Sequence, residues 1–319
     1  MNKKPSIKEL ATLERLRKEI IANKSNRILA VIAATLPMIA YFGFVLLGAY
    51  IDKFDNFGNY SVFIFIVGLS AFLFGSYFWF KKFNDEAKKL DKQTFVHKYK
   101  DFYLKKYINS LGFNYLKYGV VNFTDIISSD LFPTFQMHEG NDLITGKVDN
   151  IEFKFCDLIL RRKIGESEQE KPLFEPVAFQ GLVFTANFNK KTKSRILVMT
   201  KNITSKSGYK KIKMDNSEFN DTFNVFTTDL QNAMYVLTPA LMDRILELKK
   251  IMKCPISLSF LYDRIFIKID KGYDSFEPDL NKSIVSANIA KRIKTELDAM
   301  FNIVKILKLN NKIWILEKN

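Results

Sequence analysis

Two cysteines, two histidines and two tryptophans are all that the 319 residues contain. Cys156 and Cys254 lie in unrelated surroundings with no Cys-x-x-Cys spacing, which excludes a disulfide framework or zinc ribbon and fits a reducing compartment. Both read as small buried hydrophobes. His97 sits in a Lys-rich segment and reads as a surface residue. His138 precedes Glu139, Asn141 and Asp142 in a stretch able to approach a cation, but one imidazole with scattered acids makes a poor transition-metal set. The phosphate-cradling Gly-x-x-x-x-Gly-Lys-Ser/Thr, the nucleophile elbow Gly-x-Ser-x-Gly and the zinc motif His-Glu-x-x-His are all missing. The sequence therefore assigns no catalytic residue, no cofactor and no metal site, and catalysis has no positive support. The loop with Glu166, Glu168, Glu170 and Glu175 reads as solvated chain.

Charge is missing from two apolar runs, Ile28–Ile51 and Ser61–Phe80, of 24 and 20 residues. A membrane-spanning helix needs about 20 predominantly apolar residues. The nine-residue link Asp52–Tyr60 makes the two runs an expected antiparallel transmembrane hairpin. Neither run holds an ionisable group, which argues against a proton relay or ion pathway in the hairpin alone. Ala71 and Gly75, four apart, would permit close helix packing and a homo-oligomer.

What the chain has in excess is positive charge, a net +15. Met1–Arg27 carries eight Lys/Arg against three acids and Lys81–Ser110 nine against four. Basic residues flanking the apolar runs follow the positive-inside rule, so the expected location is the bacterial inner membrane with both termini and the main domain in the cytoplasm. The same charge offers contacts to anionic headgroups. No Lys/Arg-aromatic recognition motif supports a nucleic-acid partner. The residues singled out for headgroup or partner contact are Lys81, Lys82, Lys88, Lys89, Lys190, Lys191, Lys193 and Arg195.

The expected organisation is a basic amphipathic helix over 1–27, a transmembrane hairpin over 28–80, a cytoplasmic stalk helix over 81–110 and a cytoplasmic α+β domain over 111–319. In the first helix Ile7, Leu10, Leu13, Leu16 and Ile20 form one stripe, able to lie on the membrane or on the domain. In the last domain the period changes to two. Leu143–Val148 and Ile151–Leu160 form a hairpin about Asp149-Asn150. Val177–Phe188 and Arg195–Thr200 are strands joined by the basic turn 189–194, and 209–214 is a further strand. Thr238-Pro239 starts a helix that runs to about Met252. Ile256–Tyr262 and Ile265–Ile269 pair across Asp263-Arg264. Residues 282–309 close the chain as a long amphipathic helix with Ile289, Ile293, Leu297, Met300, Phe301, Val304 and Leu307 on one side. The fold class is α+β, an antiparallel sheet backed by helices.

Asp142–Gly146, Ile151–Phe155, Phe179–Phe184 with Phe188, Asn189 and Lys190, then Phe219, Phe223, Val225-Phe226 and Asp229, Tyr235–Pro239, Ile256–Phe260 and Phe276-Glu277 follow one another in an order that resembles a family of bacterial two-span membrane proteins catalogued as a domain of unknown function. The resemblance spans roughly Phe95 to Leu309. It implies a cytoplasmic α+β domain on a membrane hairpin, no established activity and, by association, a protein partner of the LemA type. The expected function is a membrane-anchored binding or scaffold module for a protein partner or for membrane lipid. The alternatives are a membrane-anchored hydrolase with an unrecognised site and an accessory subunit of a transport or envelope assembly.

Overall fold

The computed structural model describes residues 6–22, 92–164, 173–174, 177–284 and 287–309, with the isolated positions 43 and 77. The chain divides into two compact units. The larger comprises Met1–Ser6, Lys100–Glu277 and Ser286–Asn319; the smaller comprises Ile7–Tyr99 and Pro278–Val285.

In the smaller unit, helix α1 covers residues 7–22 and α2 covers Lys92–Tyr99. Of the expected stripe on α1, Leu13 and Ile20 are buried, Leu10 and Leu16 are half-buried and Ile7 is exposed, while the basic Arg17 is buried with them. Arg17 pairs with Glu14 at 2.7 Å and donates to the Leu280 carbonyl at 2.8 Å, while the Ile284 N–H donates to Glu14 at 2.9 Å. The charged pair is thus satisfied by the segment that α1 packs against.

The larger unit is built on an antiparallel sheet of nine strands in the order β1-β2-β3-β6-β11-β10-β7-β9-β8. The strands are β1 (Asn114–Leu116), β2 (Met137–Val148), β3 (Ile151–Arg161), β6 (Phe179–Asn187), β7 (Ile196–Thr200), β8 (Lys210–Ile212), β9 (Phe223–Thr227), β10 (Ile256–Leu261) and β11 (Arg264–Asp270). A separate pair joins β4 (Lys163–Ile164) to β5 (Leu173–Phe174). The helices are α3 (Lys105–Ser110), α4 (Phe123–Ser129), α5 (Ser217–Thr222), α6 (Leu230–Val236), α7 (Pro239–Met252) and α8 (Ala287–Ile306), and a π-helical turn at Lys100–Leu104 leads into α3.

Local chemistry explains the main elements. Asp149 and Asn150 both take positive φ, 47° and 67°, which is what a two-residue hairpin turn between right-twisted strands demands. Thr238 caps α7 by accepting from the Leu241 N–H at 3.4 Å, Pro239 occupies its first turn, and Lys253 at φ 55° ends it before Pro255. Both sheet faces are covered. On one, Val121 and Ile126 pack on Cys156, Leu158, Leu160 and Val183, and Arg264 ties α4 to the sheet through both carboxylate oxygens of Asp125 at 2.6 and 3.2 Å. On the other, Phe301 of α8 meets Phe113, Phe153 and Phe155 at ring separations of 4.2 to 5.9 Å. Leu297, Met300, Val304 and Leu307 are buried on the same helix.

Several expectations are corrected. Among the described residues no helix is long and apolar enough to cross a membrane. The 20-residue α8 carries Lys291, Arg292, Lys294, Glu296, Asp298 and Lys305, far too many charges for hydrocarbon. The expected spans 28–51 and 61–80 lie outside the described residues. The transmembrane hairpin, the two-span resemblance, membrane anchoring in each functional reading and the inner-membrane location with cytoplasmic termini therefore give way to the part the structure supports, a large antiparallel sheet backed by helices. Residues 189–194 do not close a hairpin, because β11 and β10 lie between β6 and β7. The segment instead crosses the β10–β11 turn, where Phe188 N–H donates to Asp263 O at 2.6 Å and Thr192 N–H to Tyr262 O at 2.7 Å. That turn falls at Tyr262-Asp263, one residue earlier than expected, with Tyr262 at φ 54°. Strands β1 and β9 were not anticipated.

Candidate functional site

The unusual chemistry of the larger unit is a set of buried carboxylates at the junction of β2, β3 and the loop after β11. Opposite β3, strand β2 bulges: Asn141 pairs with Asp157 and Ile144 with Phe155, so β2 spends one extra residue. Asp142 sits in this bulge at φ 58° and donates its N–H to the Lys117 carbonyl at 3.0 Å. A bulge re-aims a side chain that regular pleating would send elsewhere, and here it leaves Asp142 fully buried. Gly140 permits the close approach, because a Cβ there would lie 2.5 Å from the Asp157 carbonyl oxygen.

Asp142, Asp157 and Asp274 each offer a carboxylate oxygen, and these oxygens lie within 4.8 Å of one another. Lys100, which opens the π-helical turn and is only 4% exposed, donates to Asp142 Oδ2 at 2.6 Å. The Tyr115 hydroxyl donates to Asp142 Oδ1. Asp157 Oδ1 accepts from the Ser275 N–H at 3.2 Å, and Asn141 Nδ2 donates to Asp274 Oδ2 at 3.1 Å. Asp157 Oδ2, Asn141 Oδ1 and Ser275 Oγ are buried without a partner. Orphaned buried oxygens are costly and call for an explanation. A cavity of about 240 Å³ opens beside them, lined by Tyr118, Glu139, Asn141, Asp157, Gln180 and Asp274.

The electrostatics agree with the geometry. Burial pushes the Asp157 carboxyl well above the ordinary carboxylate range, and the neighbouring Asp274 and Asp142 add to the rise. Burial also raises Asp142, against the pull of Lys100 and Tyr115. Lys100 itself is held above its ordinary value, the Asp142 carboxylate outweighing desolvation. Burial and the Asp142 charge raise the Tyr115 hydroxyl. Every one of these groups holds its proton more tightly than usual: desolvation leads for the two carboxyls and the hydroxyl, with the neighbouring carboxylates adding to it, and for Lys100 the surrounding carboxylates overcome it.

A second region lies on the opposite sheet face. Asp157 is in register with Leu182 and Ile269, whereas Lys268 is in register with Val183 and Cys156, and registered residues share a face. A groove of about 580 Å³ there is lined by Lys201, Lys206, Lys249 and Lys268 together with apolar residues that include Leu131 and Met199.

The residues singled out from sequence fall elsewhere. Lys81, Lys82, Lys88 and Lys89 lie outside the described residues, as do the loop glutamates. Lys190 is buried, donates to the Tyr235 carbonyl and sits 3.8 Å above that ring; burial pulls its pKa down to about 8. Lys191 and Lys193 are exposed, and Arg195 donates to the Tyr209 hydroxyl at 2.8 Å and faces Asp130 at 3.7 Å. The His138 ring lies 4.9 Å from the Phe123 ring at a tilt of 32° rather than joining Asp142. Cys156 is fully buried and raised by that burial to about 12, which makes it inert. The carboxylate set escaped the sequence reading because its members are up to 132 positions apart. The one available signal was Asp157, a charge inside the apolar run Phe155-Cys-Asp-Leu-Ile-Leu160.

A family model described as a protein of unknown function (DUF3137) matches residues 177–309. That span runs from β6 into the turn after α8 and contains Asp274 and Lys268, but not β2 and β3 with Asp142 and Asp157. No curated protein matches the chain. A crystal structure of the mycobacterial trehalose monomycolate transport factor A, TtfA, is similar at 9% identity and a TM-score of 0.36, over 63% of this chain and 92% of that one. A likeness at that level supports no conclusion about fold or function.

Proposed function

We propose that the larger unit is a binding module that takes up a hard divalent cation between Asp142, Asp157 and Asp274. The observation that carries this reading is the partnerless Asp157 Oδ2, buried within a three-carboxylate set whose oxygens lie within 4.8 Å of one another. Oxygens on a shared calcium ion stand at about 2.3–2.6 Å from it, hence at most about twice that from each other. Once the ion displaces the protons that burial favours on Asp157 and Asp142, three carboxylates against Lys100 leave two negative charges, which a divalent ion neutralises. The all-oxygen donor set suits calcium, magnesium or manganese rather than zinc or copper, and the Asn141 carbonyl oxygen is a further donor of the right kind.

A cation held this way joins the β2 bulge to β3 and to the loop after β11. Its role is to fix the wall of the adjoining cavity and to couple folding to ion supply, because binding to the folded chain alone stabilises it in proportion to the logarithm of ion concentration. The test is to strip the full chain with chelator and follow thermal unfolding and calorimetric binding during titration with calcium, magnesium and manganese. A rise of several degrees with at least one ion, lost in Asp157→Asn and in Asp274→Asn, supports the reading. No rise with any of the three ions, or an equal rise in both variants, overturns it.

A further inference from the structure

The lysine groove belongs to no part of the carboxylate site and presents the reverse imbalance. Lys268 projects from the middle of β11 with its side chain 18% exposed, and its nearest carboxylate, Asp270, is 3.8 Å away. The Phe179 ring lies 5.0 Å from its Nζ. Lys206 is engaged by Asp130 at 2.7 Å and Lys201 by the Asn220 carbonyl. Lys249 enters from the last turn of α7. The lining thus holds four lysines and one carboxylate, Asp270; Asp130, which Lys206 shares with Arg195, is not among the lining residues. Burial lowers the Lys268 pKa, with Asp270 opposing the fall and Lys206 adding to it.

Shape narrows the class of ligand. The cavity volume lies within the range of small-molecule sites, which combine apolar walls with a few charged groups. Leu131, Phe132, Met199, Ile203 and Phe223 supply apolar wall beside the lysines. We infer that this groove binds a soluble organic phosphate monoester, its phosphate between Lys268 and Lys249 and its apolar body against the half-buried Phe132 and Ile203. A phosphate dianion offers several acceptor oxygens to ammonium donors, and charge-assisted bonds of this kind are roughly twice as strong as neutral ones. A small ligand is favoured over a macromolecule because the lysine with the least compensation lies within the groove rather than on an open face.

The experiment is calorimetric titration of the full chain, at low salt and with chelator present, with phenyl phosphate, inorganic phosphate and phenol. Chelator keeps the result independent of the carboxylate site. Saturable binding of phenyl phosphate, tighter than inorganic phosphate and absent for phenol, is expected. Lys268→Met should weaken it by about tenfold or more, and Lys193→Met should leave it unchanged. If circular dichroism shows Lys268→Met unfolded, Lys249→Gln serves in its place, with a weakening of about fivefold expected. Absence of saturable phenyl phosphate binding, or undiminished binding in the folded lysine variant, overturns the assignment. So does binding to phosphatidate-containing vesicles by a chain that ignores phenyl phosphate, an outcome that would point to a lipid surface instead.

Discussion

The carboxylate centre and the lysine groove lie on opposite faces of one sheet and carry opposite surpluses of charge. The first is buried, with one ammonium set among three acids and with Asp157 Oδ2 left without a partner. The second is a groove in which the mostly buried Lys268 has one loosely placed carboxylate, Asp270 at 3.8 Å. The difference teaches that a buried charge and a groove charge depend on their partners unequally. Removing the sole counter-charge from a desolvated cluster strands the rest, whereas water still reaches a groove lysine and limits the penalty.

Lys100→Met tests this contrast most strongly. It should cost about 3–5 kcal/mol in urea unfolding, against under about 1 kcal/mol for Lys268→Met, which loses no close ion pair. Equal costs would break the contrast. Next comes Gly140→Ala, whose Cβ would lie 2.5 Å from the Asp157 carbonyl oxygen and 3.1 Å from Val120. A loss of about 1–3 kcal/mol is expected, with the cation response weakened and phenyl phosphate binding in the groove unchanged.

A smaller effect is expected from pH in cation-free protein. Burial and the neighbouring Asp274 hold the folded-state pKa of Asp157 well above the ordinary carboxylate range, so folding favours the protonated form. This contribution is fully present below the unfolded pKa and is lost as pH rises through the folded value. The melting temperature should therefore fall on going from mildly acidic to neutral pH, and Asp157→Asn should flatten that fall. A steeper fall in the variant would show that another group is responsible. The smallest effect is expected at Lys191→Gln and Lys193→Gln, exposed and away from both regions: neither unfolding nor the two binding titrations should move. A change in either titration would bring the basic turn back as a contact surface.

Much of the sheet was legible in advance where a local rule governs. Asp149-Asn150 specifies a tight turn through its own backbone preferences, and Thr238-Pro239 specifies a helix start through a cap and a fixed φ. Burial at Leu297, Met300, Phe301, Val304 and Leu307 follows the helical period. Where pairing was non-local, the reading failed. The run from Asn189 to Ser194 has every mark of a turn, yet it crosses the β10–β11 hairpin because strands some 70 residues later insert between β6 and β7. The apolar runs were read as membrane spans from length and hydropathy alone; they fall outside the described residues, and among those residues no helix is long and apolar enough to cross a membrane.

Turns, caps and helical faces are written locally in the chain, since each depends on neighbours within a few residues, and the surplus of positive charge is a matter of composition alone. That Lys100, Asp142, Asp157 and Asp274 meet, and that Lys249 shares a groove with Lys268, follows from long-range packing. Side chains so distant along the chain are brought together by strand order and by one bulge, and a charge's behaviour depends on which partners then surround it in a poorly hydrated space.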